Sequence, residues 1–354
     1  MSLRPSRGRE VLLPIKLTLK PMEAKSVEAI PLGDDWQYEP KWDGFRCIAF
    51  RDGDKINLQS KSGRPLGRYF PDVVEALGHV GAKKFVLDGE IVIPVRARLS
   101  FDQLLMRIHP AESRVRKLAE EHPAMLVLFD LLANSRGKSF LKVPLSERRP
   151  ALEGFAKRYL TKHKSLRLSP VTFDSKVAGK WLRSAGTNLD GVVAKRADLP
   201  YRSGLRDGMQ KIKRLRTADC VVGGFRYSQG KKTIGSLLLG LYDDDGLLHN
   251  VGFTSSFDKV MRVELASIVE PLRATPGFTG RAPGRPSRWG TAESTQWEPL
   301  LTKLVVEVVY DQFSGDRFRH GTKLLRWRPD KSPRLCSFSQ VRQRTGATLA
   351  LLKS

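Results

Sequence analysis

Lys41-Trp42-Asp43-Gly44 is the stretch of this chain with the most chemistry in it, set within Tyr-Glu-Pro-Lys-Trp-Asp-Gly-Phe-Arg. A lysine amine can attack a phosphorus centre when its neutral form is reachable and a phosphate is held against it. The cationic Arg46 downstream serves that purpose. Taken alone, the four residues also describe a surface Asp-Gly turn with a solvated lysine, the risk of any short motif. Further segments, in order along the chain, supply the other parts such a reaction requires.

Ser60-Lys61-Ser62-Gly63-Arg64 places two cations and a glycine in a loop, a cradle suited to a phosphate. Asp88-Gly89-Glu90 sets a carboxylate on a largely apolar run. A buried acid without a partner is costly, so Glu90 calls for a cation, a hydroxyl or a metal. Phe129 heads a Phe-Asp pair inside an apolar run, and its ring is either plain core or a surface for stacking on a base. Asp190-Gly191-Val192-Val193-Ala194-Lys195 carries an acid and a lysine at its two ends. In a regular strand these two face opposite sides unless the glycine bends the chain. Lys211-Ile212-Lys213 puts two ammonium groups on one side of a strand, an arrangement that an anion between them relieves. Arg326-Trp327-Arg328-Pro329-Asp330-Lys331 gathers three cations around one acid, with Arg326 and Arg328 on a shared face.

Strands are expected to position most of these groups. Residues 36–41 and 46–51 alternate as β-runs, and Asp52-Gly53-Asp54 turns the second into residues 56–59. Residues 85–93 and 125–132 read as strands, the latter of buried type. Residues 73–78 and 101–121 read as helices, and 145–159 as a helix opened by Ser146 as its cap. Residues 191–195 and 209–213 are short strands around a Pro/Gly-rich loop. Beyond Arg216 the texture changes to several short strands interrupted by one helix at 256–272 and a loop at 274–296. That pattern suits a small Greek-key barrel of the OB type. The boundary falls near Thr217, giving domains of 1–216 and 217–354.

The chain has 354 residues, 40% apolar and 28% charged, enough for two or three domains with sizeable cores. Its net charge of +25, spread over both parts, favours a polyanion and above all nucleic acid as partner. The three cysteines are far apart and form no C-x-x-C, so neither a zinc ribbon nor a disulfide scaffold is indicated, and the histidines show no metal spacing. With no apolar leader and no long apolar run, a cytoplasmic protein without a membrane partner is expected. A nucleic-acid partner would make it nucleoid-associated in use, and a monomer is the default.

The ordered set of Lys41-Trp42-Asp43-Gly44, Asp88-Gly89-Glu90, Phe129-Asp130, Asp190 to Lys195, Lys211-Ile212-Lys213 and Arg326 to Lys331 resembles the covalent nucleotidyltransferases. The resemblance is nearest to ATP-dependent DNA ligases of the short bacterial C type, and Pro21-Met22-Glu23-Ala24 looks like the lead-in segment of these ligases. It implies an α+β protein: an ATP-grasp-like adenylation (nucleotidyltransferase) domain with antiparallel sheets, then a C-terminal OB-fold β-barrel. It also implies ATP with Mg²⁺ or Mn²⁺, and nicked double-stranded DNA as partner. By the same resemblance Lys41 is the adenylated nucleophile, Glu39 binds adenosine, and Arg46 takes ribose or phosphate. Phe129 stacks on adenine, and Glu90 holds the ribose or assists a metal. Asp190 places the metal, and Lys211 and Lys213 hold the α-phosphate. Lys61 and Arg64 meet a DNA phosphate, while Arg326, Arg328, Asp330 and Lys331 close over ATP. Two positions depart from the family pattern: Asp190 is a glutamate in most members, and Lys61 an arginine. An RNA-end ligase or capping enzyme is the alternative within the superfamily, and a non-catalytic basic DNA-binding protein the alternative outside it.

Overall fold

The computed structural model describes residues 13–96, 98–184, 189–228, 233–257, 259–284, 296–342 and 348–352. Part of the expected 274–296 loop therefore lies outside the described residues. The chain packs as two units, Met1–Lys213 with Thr345–Ser354, and Arg214–Arg344.

Unit 1 is built on two sheets. The first has the strand order Lys25–Val27, Met209–Lys213, Leu189–Arg196, Trp36–Trp42, and the second Lys55–Ser60, Phe45–Asp52, Lys84–Val92, Met125–Ala133, Leu166–Leu168. The expected antiparallel pairing holds for the inner strands, but each sheet has a parallel edge: Lys25–Val27 on Met209–Lys213, and Leu166–Leu168 on Met125–Ala133. Parallel neighbours need a long crossover. The helix Leu145–Tyr159 provides the second of these, laying Leu152 and Phe155 into the core.

Two helical expectations need correction. Residues 101–121 form two helices, Phe101–Arg107 and Glu112–Glu121. Pro110 is the cause, since it lacks a donor and drives His109 out of the helical region. Ser146 lies inside its helix, whose N-cap is Pro144. The first free N–H groups are met instead by a distant loop, Leu145 N donating to Leu199 O at 3.0 Å and Ser146 N to Ala197 O at 2.8 Å.

In unit 2 the strands Leu248–Thr254, Ile234–Tyr242, Arg216–Tyr227, Val305–Tyr310 and Lys323–Trp327 lie side by side in that order, with the helix Lys259–Val269 between the third and fourth in sequence. This is the strand order of an OB-fold. Among the described residues, however, the outer strands meet through one parallel bridge, Thr254 with Thr322, where Thr254 Oγ1 donates to Thr322 O at 3.0 Å. The expected OB-type barrel thus has edge strands that, among the described residues, meet at this bridge.

Candidate active site

Strand register alone brings most of the chemistry together. In the first sheet Gly191 pairs with Lys41 on one side and Lys213 on the other, and Val193 pairs with Glu39 and Lys211 in the same way. Residues opposite each other across a ladder, and residues two apart along a strand, share a face. Glu39, Lys41, Lys211 and Lys213 therefore project from one side of the sheet. A cavity of about 820 Å³ opens there, lined among others by Glu39, Lys41, Arg46, Glu90, Phe129, Val193, Lys195 and Lys211. The 21–24 segment, Lys61 and Arg64 line it too.

Asp190 reaches this face by an irregularity. Strict alternation would turn it away, but the register shifts between Leu189 and Gly191. Gly191 has φ +143°, and a Cβ on it would lie 1.9 Å from Ile212 O. This bulge swings the Asp190 carboxylate in, with Oδ2 2.6 Å from Lys41 Nζ and 3.3 Å from Lys213 Nζ. Asp190 and Lys195 consequently both serve the site. Lys211 is different: among the described residues no ion pair or hydrogen bond holds its amine. Burial, followed by the nearby Lys41, Lys213 and Lys61, depresses its pKa. A cation so placed is a ready site for an anion.

Gly44 explains the last residue of the Lys-Trp-Asp-Gly run. Here the chain leaves the first sheet and brushes the second, and a Cβ would lie 2.1 Å from Ile91 O and 2.9 Å from Glu90 Cγ. The crossing sets Glu90 beside Lys41. Burial pushes the Glu90 carboxyl up to about 7, against the pull of Lys41 and Arg46. Such an acid keeps its proton better folded than unfolded, so its contribution to stability is complete below pH 4.5 and is lost as pH rises to about 7. The Glu90→Gln variant cannot ionise and escapes that loss. Its stability advantage over the native protein is expected to grow through this window to about 1–3 kcal/mol and then level off, as read from thermal melts. An advantage independent of pH would contradict this.

Arg46 makes a two-pronged pair with Asp88, Nε to Oδ1 at 2.6 Å and Nη2 to Oδ2 at 2.7 Å. Burial opposes its charge, but Asp88 more than offsets this and raises its pKa. Tyr201 Oη donates to Asp88 Oδ2 at 2.5 Å and accepts from Met22 N at 3.0 Å, which ties the 21–24 segment to the site. Arg46 also lies 4.3 Å from the centre of the Phe129 ring, and Lys195 Nζ 4.5 Å from it. The ring is thus a cation-contacting surface in the cavity wall. Glu39 is buried and accepts from Lys195 Nζ at 2.8 Å and Gln37 Nε2 at 2.9 Å. Tyr201 is the supporting residue that the sequence did not single out, while Asp88 and Lys195 stood in the quoted segments without these roles.

Lys61 Nζ is 3.2 Å from Glu23 Oε2, which Arg206 also contacts at 2.9 Å. The loop around it is closed by Arg64 N donating to Ser60 Oγ at 3.0 Å. In unit 2, Arg326 pairs with Glu307 at 2.7 Å, while Arg328 and Lys331 reach Asp219 at 2.8 and 3.3 Å. Arg328 also holds Asp330 at 2.8 Å. Asp219 and Glu307 are cross-strand neighbours, and three cations neutralise that like-charged pair.

Among the described residues no group of three or more His, Cys, Asp or Glu is placed to hold a metal ion. Asp190 and Glu90 are the carboxylates placed beside Lys41, and one oxygen of Asp190 already meets two lysines. Mg²⁺ is commonly bound by one or two carboxylates plus substrate phosphates and water. This donor set fits an ion brought in on a polyphosphate.

A family model described as the ATP dependent DNA ligase domain matches residues 21–213, and one described as the ATP dependent DNA ligase C terminal region matches residues 230–331. DNA ligase C1 of Mycolicibacterium smegmatis is 45% identical to this chain over 342 residues, covering 93% of it and 95% of that protein. DNA ligase C of Mycobacterium tuberculosis is 43% identical over 344 residues, with the same 93% and 95% coverage. A solved structure from work on Lig E DNA ligases has the same fold, with a TM-score of 0.54 at 14% identity over 87% of this chain and 99% of that one.

Proposed function

This chain belongs to the ATP-dependent DNA ligase family, and from that we propose that it seals nicks between a 5′-phosphate and a 3′-hydroxyl in duplex DNA by way of an AMP bound to Lys41. The observation that carries the reading is the Lys41 amine, held 2.6 Å from Asp190 in a basic cavity that Lys211 also lines.

Lys41 attacks the α-phosphate of ATP, its N–P bond forming as the bond to pyrophosphate breaks. The attack requires the amine to shed a proton, and Asp190 Oδ2 is within reach to accept it. Lys211 and Lys213 face the charge that builds on the transferring group. The 5′-phosphate of the nick then displaces Lys41 from AMP, and Lys61 and Arg64 at the cavity edge suit that phosphate. A lysine at position 61 gives charge without the fork of an arginine. Finally the 3′-hydroxyl attacks the activated phosphate and AMP leaves. A divalent ion arriving with the triphosphate would neutralise part of its charge, with Asp190 and Glu90 the carboxylates to meet it. Glu39, Lys195, Phe129 and Arg46 form the wall proposed to take the nucleoside. Arg326, Arg328 and Lys331 would exchange Glu307 and Asp219 for phosphate, with Asp330 orienting Arg328.

With 62 Lys and Arg against 37 Asp and Glu, phosphate contacts should dominate the affinity for DNA. Binding to a nicked duplex is expected to weaken by about 10³-fold or more between 50 and 200 mM salt, at about six or more phosphate contacts. A binding constant flat across that range would count against it. No helix among the described residues is long and apolar enough to cross a membrane.

The direct test is incubation with α-labelled ATP and Mg²⁺, denaturing electrophoresis, and a chase with nicked DNA. Covalent label that leaves as AMP only when the nick is sealed supports the reading. Label from GTP alone, or none, sinks it.

A further inference from the structure

Residues 348–352 return to unit 1 after the chain has traversed all of unit 2. They do not lie on an indifferent surface. Leu352 joins Trp42, Val92, Val127 and Leu189 in one buried cluster, against which Leu349, Leu351, Leu99 and Met125 pack. Leu352 is 4% exposed and Trp42 3%.

Each core member of that cluster is a near neighbour of a residue facing the cavity. Trp42 follows Lys41, and Leu189 precedes Asp190. Trp42 and Leu189 form the last rung of the first sheet before the bulge. Val92 and Val127 belong to the second sheet, two residues from Glu90 and from Phe129 respectively. The 348–352 segment is therefore wedged where the two sheets come together behind the nucleophile. Among the described residues one polar contact fixes the Trp42 ring, Nε1 donating to Ser169 Oγ at 2.9 Å. Apolar packing does the rest, and a missing apolar neighbour leaves either a cavity or a shifted ring.

We propose that Leu352, with Leu349 and Leu351, is a positioning element for Lys41, setting through Trp42 where its amine stands. This rests on Lys41 being the adenylated residue. Attack on phosphorus tolerates little misplacement, an error of 1 Å costing about 10²-fold. Lys41 takes part in forming enzyme-AMP and in handing AMP to DNA, but is not a reactant in the closure of a nick that already carries AMP. A positioning role for Lys41 thus predicts that the steps separate.

The test uses the full chain with Leu352→Ser, and the conservative Leu352→Met as rescue. Single-turnover enzyme-AMP formation at saturating ATP is measured beside sealing of a chemically pre-adenylated nick. Leu352→Ser is expected to slow the first about tenfold or more with the ATP concentration for half-maximal rate unchanged, while sealing stays within about twofold. Leu352→Met should restore the first rate. If both reactions fall together the segment serves overall stability alone, and if neither changes it has no role; either result overturns the proposal. Should Leu352→Ser fail to fold, Leu349→Ser is read in the same pair of assays by the same criteria. Native protein that forms no enzyme-AMP would refute the assignment of Lys41 instead, before any variant is compared.

Discussion

Lys41→Arg forms no enzyme-AMP at any pH at which the protein stays folded. A guanidinium stays protonated throughout that range and offers no lone pair to phosphorus. It retains the positive charge, so Asp190 and its contact with Lys213 keep a cationic partner. The loss therefore belongs to nucleophilicity rather than to folding, and the melting temperature should shift by only a few degrees. Sealing of a pre-adenylated nick should persist, because that step does not use the amine. The measurement is covalent label from α-labelled ATP on a denaturing gel. Label retained at even a few per cent of the native level would remove Lys41 from its assigned role.

Gly191→Ala should be nearly as damaging, though the residue touches no substrate on this reading. Its φ of +143° lies where a side chain is strained, and its Cβ would sit 1.9 Å from Ile212 O. The strand is paired on both sides, to Trp36–Trp42 and to Met209–Lys213, so neither neighbour can yield without disturbing Lys41 or Lys213. The chain can relieve the clash only by unmaking the bulge, and then Asp190 turns to the opposite face. Strain of this kind costs about 3 kcal/mol or more, and the displaced site about 10²-fold or more in enzyme-AMP formation. Gly63→Ala is the control, since a Cβ there meets nothing within 4 Å although its φ is also positive. Thermal melts and single-turnover rates for the two variants decide the matter. A Gly191→Ala enzyme with native rate and stability would mean that the bulge is dispensable.

The two substitutions mark what could and could not be read from the sequence. The shared face of Lys211 and Lys213 was legible because alternation along a strand fixes it, whereas Lys41 came from its motif and Glu39 from the resemblance. Asp190 was named through the resemblance, but alternation alone points it the wrong way and the pairing is what shows the bulge at Gly191. Lys195 was visible as a residue but not as the partner of Glu39, which lies 156 positions away in sequence. The contact of Tyr201 with Asp88 escaped for the same reason, the two being 113 positions apart. Local chemistry also misled: Ser146 looked like a cap, yet carbonyls of the 197–199 loop satisfy that helix end. Leu349, Leu351 and Leu352 lie with Ala350 in a short apolar run, and nothing in their spacing shows that Trp42 awaits them.

The return of residues 348–352 to unit 1 has a consequence in time. Trp42 emerges from the ribosome before any of unit 2 exists, and Leu352 after all of it has been made. At about 5–20 residues per second, the interval between them is about 15–60 s. Through that interval the cluster behind Lys41 lacks its final neighbour, however early the sheets of unit 1 assemble. The nascent protein should acquire its fold before it acquires its reactivity toward ATP.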